Sequence, residues 1–230
     1  MTTKKRRFLS EDHMYRDLAV GLLVFFATSP VLDRMSVSPR FKSYLVVAFL
    51  LFALFEITRR ASDVWIGLAL GLPAVAAGIY NAETPDTPAI NLFPTILAGL
   101  FIGFLIWRIL KDVIVGSRIT SERVFGAVCA YLLIGFLFAD FYGFISLVDE
   151  NAFSVSESIE AGSVDGGDLG RDGILTYFSF VTMTTLGYGD ISPVSPAART
   201  LAWMQALVGQ LYLAITIAGL VGVHIARQKE

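Results

Sequence analysis

Six predominantly apolar runs, at about 15–32, 41–57, 64–80, 89–110, 123–148 and 197–225, set the limits on what this chain can become. Inside a bilayer every backbone N–H and C=O must find a partner within the protein, and an apolar run meets that demand as a helix. A helix crosses with about 20 residues, and the first two runs are short against that length. The first two need flanking residues such as Lys42 to reach the interface. Apolar residues fill 55% of the 230 positions and charged ones 17%, against about 25% charged in an ordinary soluble domain. The expected fold class is therefore an all-α membrane protein with six transmembrane helices.

Charge then sets the topology. The formal net charge of −2 hides a separation, with basic residues at the start and in particular loops, and acidic residues crowded into 149–172. That separation reads as membrane orientation, with no nucleic-acid partner. Lys4, Lys5, Arg6 and Arg7 precede the first run, but Glu11, Asp12 and Asp17 spoil the flank of a secretory signal, so residues 1–14 are expected to be a cytoplasmic tail. With that end inside, Arg59, Arg60, Arg108, Lys111, Arg118, Arg123, Arg227 and Lys229 are also inside, while Arg34, Arg40, Lys42, Arg171 and Arg199 fall outside. The imbalance predicts both termini in the cytoplasm of a cell, with the chain multi-pass in its plasma membrane. Cys129, the one cysteine, lies in an apolar run and reads as a packing residue.

Between the fifth and sixth runs stands Thr182-Met-Thr-Thr-Leu-Gly-Tyr-Gly-Asp190. Gly187 and Gly189 can take left-handed backbone conformations, so a backbone alternating in hand from Thr185 to Gly189 can aim successive carbonyls to one side. Here the sequence resembles the potassium channels, whose Thr-Val-Gly-Tyr-Gly-Asp signature stands as Thr185, Leu186, Gly187, Tyr188, Gly189 and Asp190, with Leu186 for Val as the one departure. The resemblance implies a re-entrant pore helix and selectivity filter, with K+ held by the carbonyls of Thr185, Leu186, Gly187 and Tyr188 and the Thr185 hydroxyl. It places the Leu186 side chain in packing behind the filter. The motif occurs once, so a closed ring requires a homotetramer. No cofactor is implied beyond the permeant K+, and no enzyme activity; the further partner is membrane lipid.

The resemblance covers about 125–226 and implies a pore module over 123–230. Asp140, costly in lipid, should face protein or a water pocket. Residues 149–172, rich in Gly, Ser and acid, read as a solvated turret. Asp172 is expected to cap a pore helix running to about Met183, with Tyr177, Phe178, Phe180 and Val181 as its apolar girth. Some relatives carry a carboxylate partner for the filter aspartate on this helix, but Val181 occupies that position. Tyr177 aligns with a tryptophan that bonds the aspartate in many relatives, so a Tyr177 hydroxyl to Asp190 contact is expected. Gly209 matches an inner-helix glycine, readable as a hinge or as close packing. Leu213, Ile217, Val221 and Ile225 share a helix face read as pore lining, with Gln210 toward the cavity. His224, near the inner end, is a candidate pH-sensitive gate or a solvent-facing histidine.

Residues 15–110 read as a four-helix bundle, and 111–122 as a basic connector with a short interfacial helix around 113–119. Gly67, Gly71, Gly99 and Gly103 have the spacing that lets helices approach closely, and Pro73 should kink the third run. A voltage sensor needs several basic residues along one helix, and the fourth run offers Arg108 alone. The four residues after Ala226 leave no cytoplasmic ligand-binding domain to expect. A weakly selective cation channel, or a lipid- or ligand-sensing module joined to a pore, stands as the alternative to a potassium-selective channel that is not voltage-gated.

Overall fold

The computed structural model describes residues 14–34, 48, 61–83, 88–115, 121–156 and 171–227. Helices α1 (Met14–Arg34), α2 (Ala61–Glu83), α3 (Pro88–Val115) and α4 (Ser121–Val148) come first, then strand β1 (Phe153–Val155). Helix α5 (Arg171–Met183), strand β2 (Ile191–Pro193) and helix α6 (Pro196–Arg227) complete the order. Among the described residues, α4 and the 196–219 stretch of α6 are long and apolar enough to cross a membrane. Apart from residue 48, the apolar run at 41–57 lies outside the described residues, as do the first thirteen residues.

Helix α4 is the hub. It packs against α1, α3, α5 and α6, while α2 reaches the rest through α3. Leu18 and Leu22 of α1, Phe101, Leu105 and Ile109 of α3, Leu133 and Tyr142 of α4, and Leu175 and Met183 of α5 form one continuous core. At one end of the bundle the start of α1 is tied to both neighbours. The Tyr15 amide donates to Glu122 Oε2 (2.8 Å) and its hydroxyl to Asp112 Oδ2 (2.9 Å), while Arg108 pairs with Asp112 at 2.5 Å.

Three expectations change. The chain is not wholly α: β1 and β2 form an antiparallel ribbon with Phe153 opposite Pro193 and Val155 opposite Ile191. Residues 153–155, expected in a solvated turret, are drawn into order by that pairing; 157–170 lie outside the described residues. Helix α5 starts at Arg171, so Asp172 falls within its first turn and does not cap it. Residues 111–115 prolong α3 because the apolar face runs on through Val113, and the rest of the expected interfacial helix, 116–119, lies outside the described residues. Pro73 lies inside α2, the position from which a kink is expected.

Candidate functional site

Helix α5 ends in a tight set of turns. The Thr184 amide donates to the Phe180 carbonyl (3.0 Å), Thr185 to Thr182 (3.1 Å) and Leu186 to Val181 (2.9 Å). Beyond them the backbone reverses hand at every second residue, with φ of 59° at Thr185, 59° at Gly187 and 79° at Gly189. The two glycines take this conformation freely; Thr185, branched at Cβ, does not. The structure thus brings the five residues into one alternating stretch. Leu186 and Tyr188 are 55% and 67% exposed, so their own chain supplies little of the packing expected behind Leu186.

The far end of the stretch is anchored through Asp190. Its carboxylate accepts the Tyr177 hydroxyl at 2.6 Å and the Ile191 amide at 3.0 Å, and its carbonyl accepts the Ser156 amide at 2.9 Å. The Tyr177 contact is the one the sequence suggested, and this bond, more than burial, pushes the phenol up to about 12. The ribbon then leads to α6, where Ser195 Oγ accepts the Ala198 amide (3.2 Å) and Pro196 takes the first helical position. A serine cap followed by proline is a favourable helix start, because the cap satisfies an orphan donor and proline lacks one.

The profile of a family described as ion channel matches residues 173–224, which hold the alternating stretch and most of both flanking helices. Over 56 residues the chain is 42% identical to the potassium voltage-gated channel protein shk-1 of Caenorhabditis elegans, covering 24% of this chain and 10% of that protein. It is 49% identical over 39 residues to the inward rectifier potassium channel Kirbac3.1 of Paramagnetospirillum magnetotacticum, covering 17% and 13%. This stretch is similar in sequence to the pore loop of potassium channels. A longer match, 31% over 120 residues, links it to the two-pore potassium channel 3 of Arabidopsis thaliana, covering 52% of this chain and 23% of that protein. The chain spans between 10% and 23% of the lengths of these relatives. No solved structure matches it significantly. The family matched over 173–224 is described as ion channel, a class of membrane protein that is not enzymatic.

Behind the pore loop lies a polar chain that reading the sequence did not find. The Tyr142 hydroxyl of α4 donates to Gln205 Oε1 of α6 (2.6 Å). The Gln205 amide nitrogen donates to both the hydroxyl (2.6 Å) and the carbonyl (3.0 Å) of Ser179 on α5. Ser179 Oγ donates in turn to the Gly135 carbonyl of α4 (2.6 Å). Tyr142, Gln205 and Ser179 are fully buried, and every donor and acceptor capacity used is consistent with its neighbours. Rings of Tyr142, Phe153 and Phe178 pack edge to face around this chain, with centroids 4.9 to 5.6 Å apart. One signal was available: Gln205 is an amide in the middle of an apolar helix, a position that demands a partner.

The other predicted residues divide. Val181 is buried and its carbonyl holds Leu186. Gly209 meets the end of α5, where a Cβ would come within 2.6 Å of the Met183 carbonyl oxygen, so the structure gives it a close-packing role. Gln210, Leu213 and Ile217 are exposed along one side of α6. Val221, His224 and Ile225 lie in the final turns of α6, and their side chains are outside those described.

Proposed function

We propose that this chain is one subunit of a homotetrameric, potassium-selective channel of six transmembrane helices, with α5 as its pore helix and 185–189 as its selectivity filter. The observation that carries this reading is the alternation of backbone hand at Thr185, Gly187 and Gly189 in a loop held between α5 and α6. Four such loops ring a path with the carbonyls of Thr185 to Tyr188, which replace the hydration shell of a dehydrating K+. The carboxyl end of α5 adds a partial negative charge below them. Conduction is passive, along the ion's own gradient. α6 lines the cavity through Gln210, Leu213 and Ile217, continuing to Val221 and Ile225. Tyr177, Val181 and Asp190 support the filter from the pore-helix side. The membrane is the plasma membrane, with both termini cytoplasmic.

Two features favour assembly and argue against voltage sensing. Along α6 most side chains are exposed, Ile215 at 70% and Ile217 at 58% among them, and an apolar helix bared on nearly all sides suits contact with other copies and a central cavity. Arg108, the basic residue of the apolar run within α3, is buried and paired with Asp112 in its own helix. A sensing charge must be free to cross the field, where each is worth about 2.3 kcal/mol per 100 mV. The test is ion flux from liposomes containing the purified chain, first under a potassium gradient and then under a sodium gradient. Flux that follows the potassium gradient alone supports the reading; equal flux of both ions overturns it.

A further inference from the structure

Between α3 and α4 lies a cavity of about 730 Å³, within the roughly 300–1,000 Å³ of small-molecule sites. Leu100, Trp107, Phe141 and Phe144 make its walls apolar and aromatic, and among the described residues Asp140 is the one charged side chain lining it. Among the described residues the space is unfilled: a Cβ built on Gly103, in the middle of the α3 wall, meets nothing within 4 Å. The glycine spacing of α3, expected to bring helices together, thus does so only at Gly99. There a Cβ would come within 2.7 Å of Asp140 Oδ2, so the missing side chain lets the carboxylate lie level with Gly99 at the cavity wall.

We propose that this cavity binds a lipophilic primary amine, its ammonium against Asp140 and its alkyl tail along α3 toward Trp107. Three observations choose that chemistry. The walls accept a hydrocarbon chain, and Gly99 and Trp107 are eight residues apart, about 12 Å along the helix. A carboxylate lining an apolar wall accepts positive charge as well as hydrogen-bond donors. Its roughly four acceptor positions can hold a protein donor and an ammonium together. At the other end Lys111 Nζ sits 5.1 Å from the centre of the Trp107 ring, a positive charge that turns a cationic head away and toward Asp140. A fatty acid fails on charge, and a long-chain alcohol gains no charge-assisted bond.

Trp65 and Trp203 are exposed, so replacing both with Phe leaves Trp107 as the sole tryptophan of the three. The probe is bromodecylammonium with bromine on the terminal carbon, compared with the matching bromodecanol, titrated against this protein in lipid nanodiscs. Saturable quenching of Trp107 by the amine at about one-tenth or less of the alcohol concentration is expected, since a charge-assisted bond is worth at least that factor. Asp140→Asn should bring amine and alcohol level. Gly103→Leu should fill the space and remove saturable quenching by both. Equal quenching by amine and alcohol in the starting protein overturns the proposal, as does an amine preference that survives Asp140→Asn. A change in subunit number on Gly103→Leu would assign the cavity to a helix of another copy and overturn it equally.

Discussion

Thr185 holds a φ of 59° although its branched Cβ makes that conformation cost about 1–3 kcal/mol. It is held there from behind by the Thr182 carbonyl and, through its neighbour Leu186, by the Val181 carbonyl. Gly187 has the same φ at no such cost, and a Cβ added there meets nothing within 4 Å. Gly187→Ala therefore tests conformation apart from crowding within the chain. The strain of about 1–2 kcal/mol per subunit should shift the loop away from alternation and abolish selective flux, with assembly intact. An unchanged ratio of potassium to sodium flux in that variant would remove Gly187 from the filter. Tyr177 acts one layer out. Its raised pKa, about 12 against an ordinary 10, means the bond to Asp190 favours the neutral phenol. The stabilisation is fully present below about pH 10 and is lost only as pH rises through about 12. Tyr177→Phe should speed the decay of current during sustained opening and leave selectivity alone. The decay of the parent protein, so far as Tyr177 sets it, should not respond to pH between about 6 and 9. The alternating backbone and the Tyr177–Asp190 bond were legible in the sequence because both are local: two glycines, and a hydroxyl and a carboxylate thirteen residues apart.

The chain from Tyr142 through Gln205 and Ser179 to Gly135 works at the scale of elements, joining α4, α5 and α6 through one buried amide. Its links join residues 63, 26 and 44 positions apart, so nothing local announces it. The same holds for the β1–β2 ribbon, whose first strand hides in a Gly-, Ser- and acid-rich segment. By contrast, the ends of α4 and α6 fall within two residues of the apolar runs that predicted them, since length and hydropathy are properties of the run itself. Tyr142→Phe leaves the Gln205 oxygen short of its donor in a dry site, which should destabilise the protein by about 1–3 kcal/mol. In a Gln205→Leu background the same change should cost less than half as much, because the acceptor is gone. Midpoints of chemical denaturation for the four proteins of this cycle decide the matter, and additive losses would show that the two groups are not coupled. α3 supports a second expectation at this scale. With Arg108 buried against Asp112, and Asp112 also accepting from Tyr15, its charge is fixed in place. Open probability should change little over about 100 mV, where one moving charge is worth about 2.3 kcal/mol. A steep activation curve would show that other charges move.

At the scale of the whole molecule, the chain is packed around α4 and bare around α6. Its own helices cover α4 from several sides, yet Trp203, Leu207, Leu211 and Ile215 of α6 are each at least half exposed, and Leu186 and Tyr188 above them are uncovered too. The four helix residues lie at spacings of four and therefore form one continuous stripe along the helix. In lipid alone an apolar stripe is tolerated, but the uncovered pore loop is not, because its backbone groups need partners that lipid cannot provide. A ring of copies resolves both problems at once, placing the stripe of one α6 against its neighbour and the loops around a shared axis. The order of such a ring is set by one loop per chain, and an ion stripped of water needs carbonyls from every side. Four copies of 25.1 kDa give a particle of about 100 kDa of protein. Subunit counting by stepwise photobleaching of single labelled particles should give four steps, and Leu211→Lys, which sets a charge into the stripe, should shift the particles toward monomers. A particle of two copies, or a stripe charge without effect on assembly, would refute the ring and with it the assignment of 185–189 as a filter shared among chains.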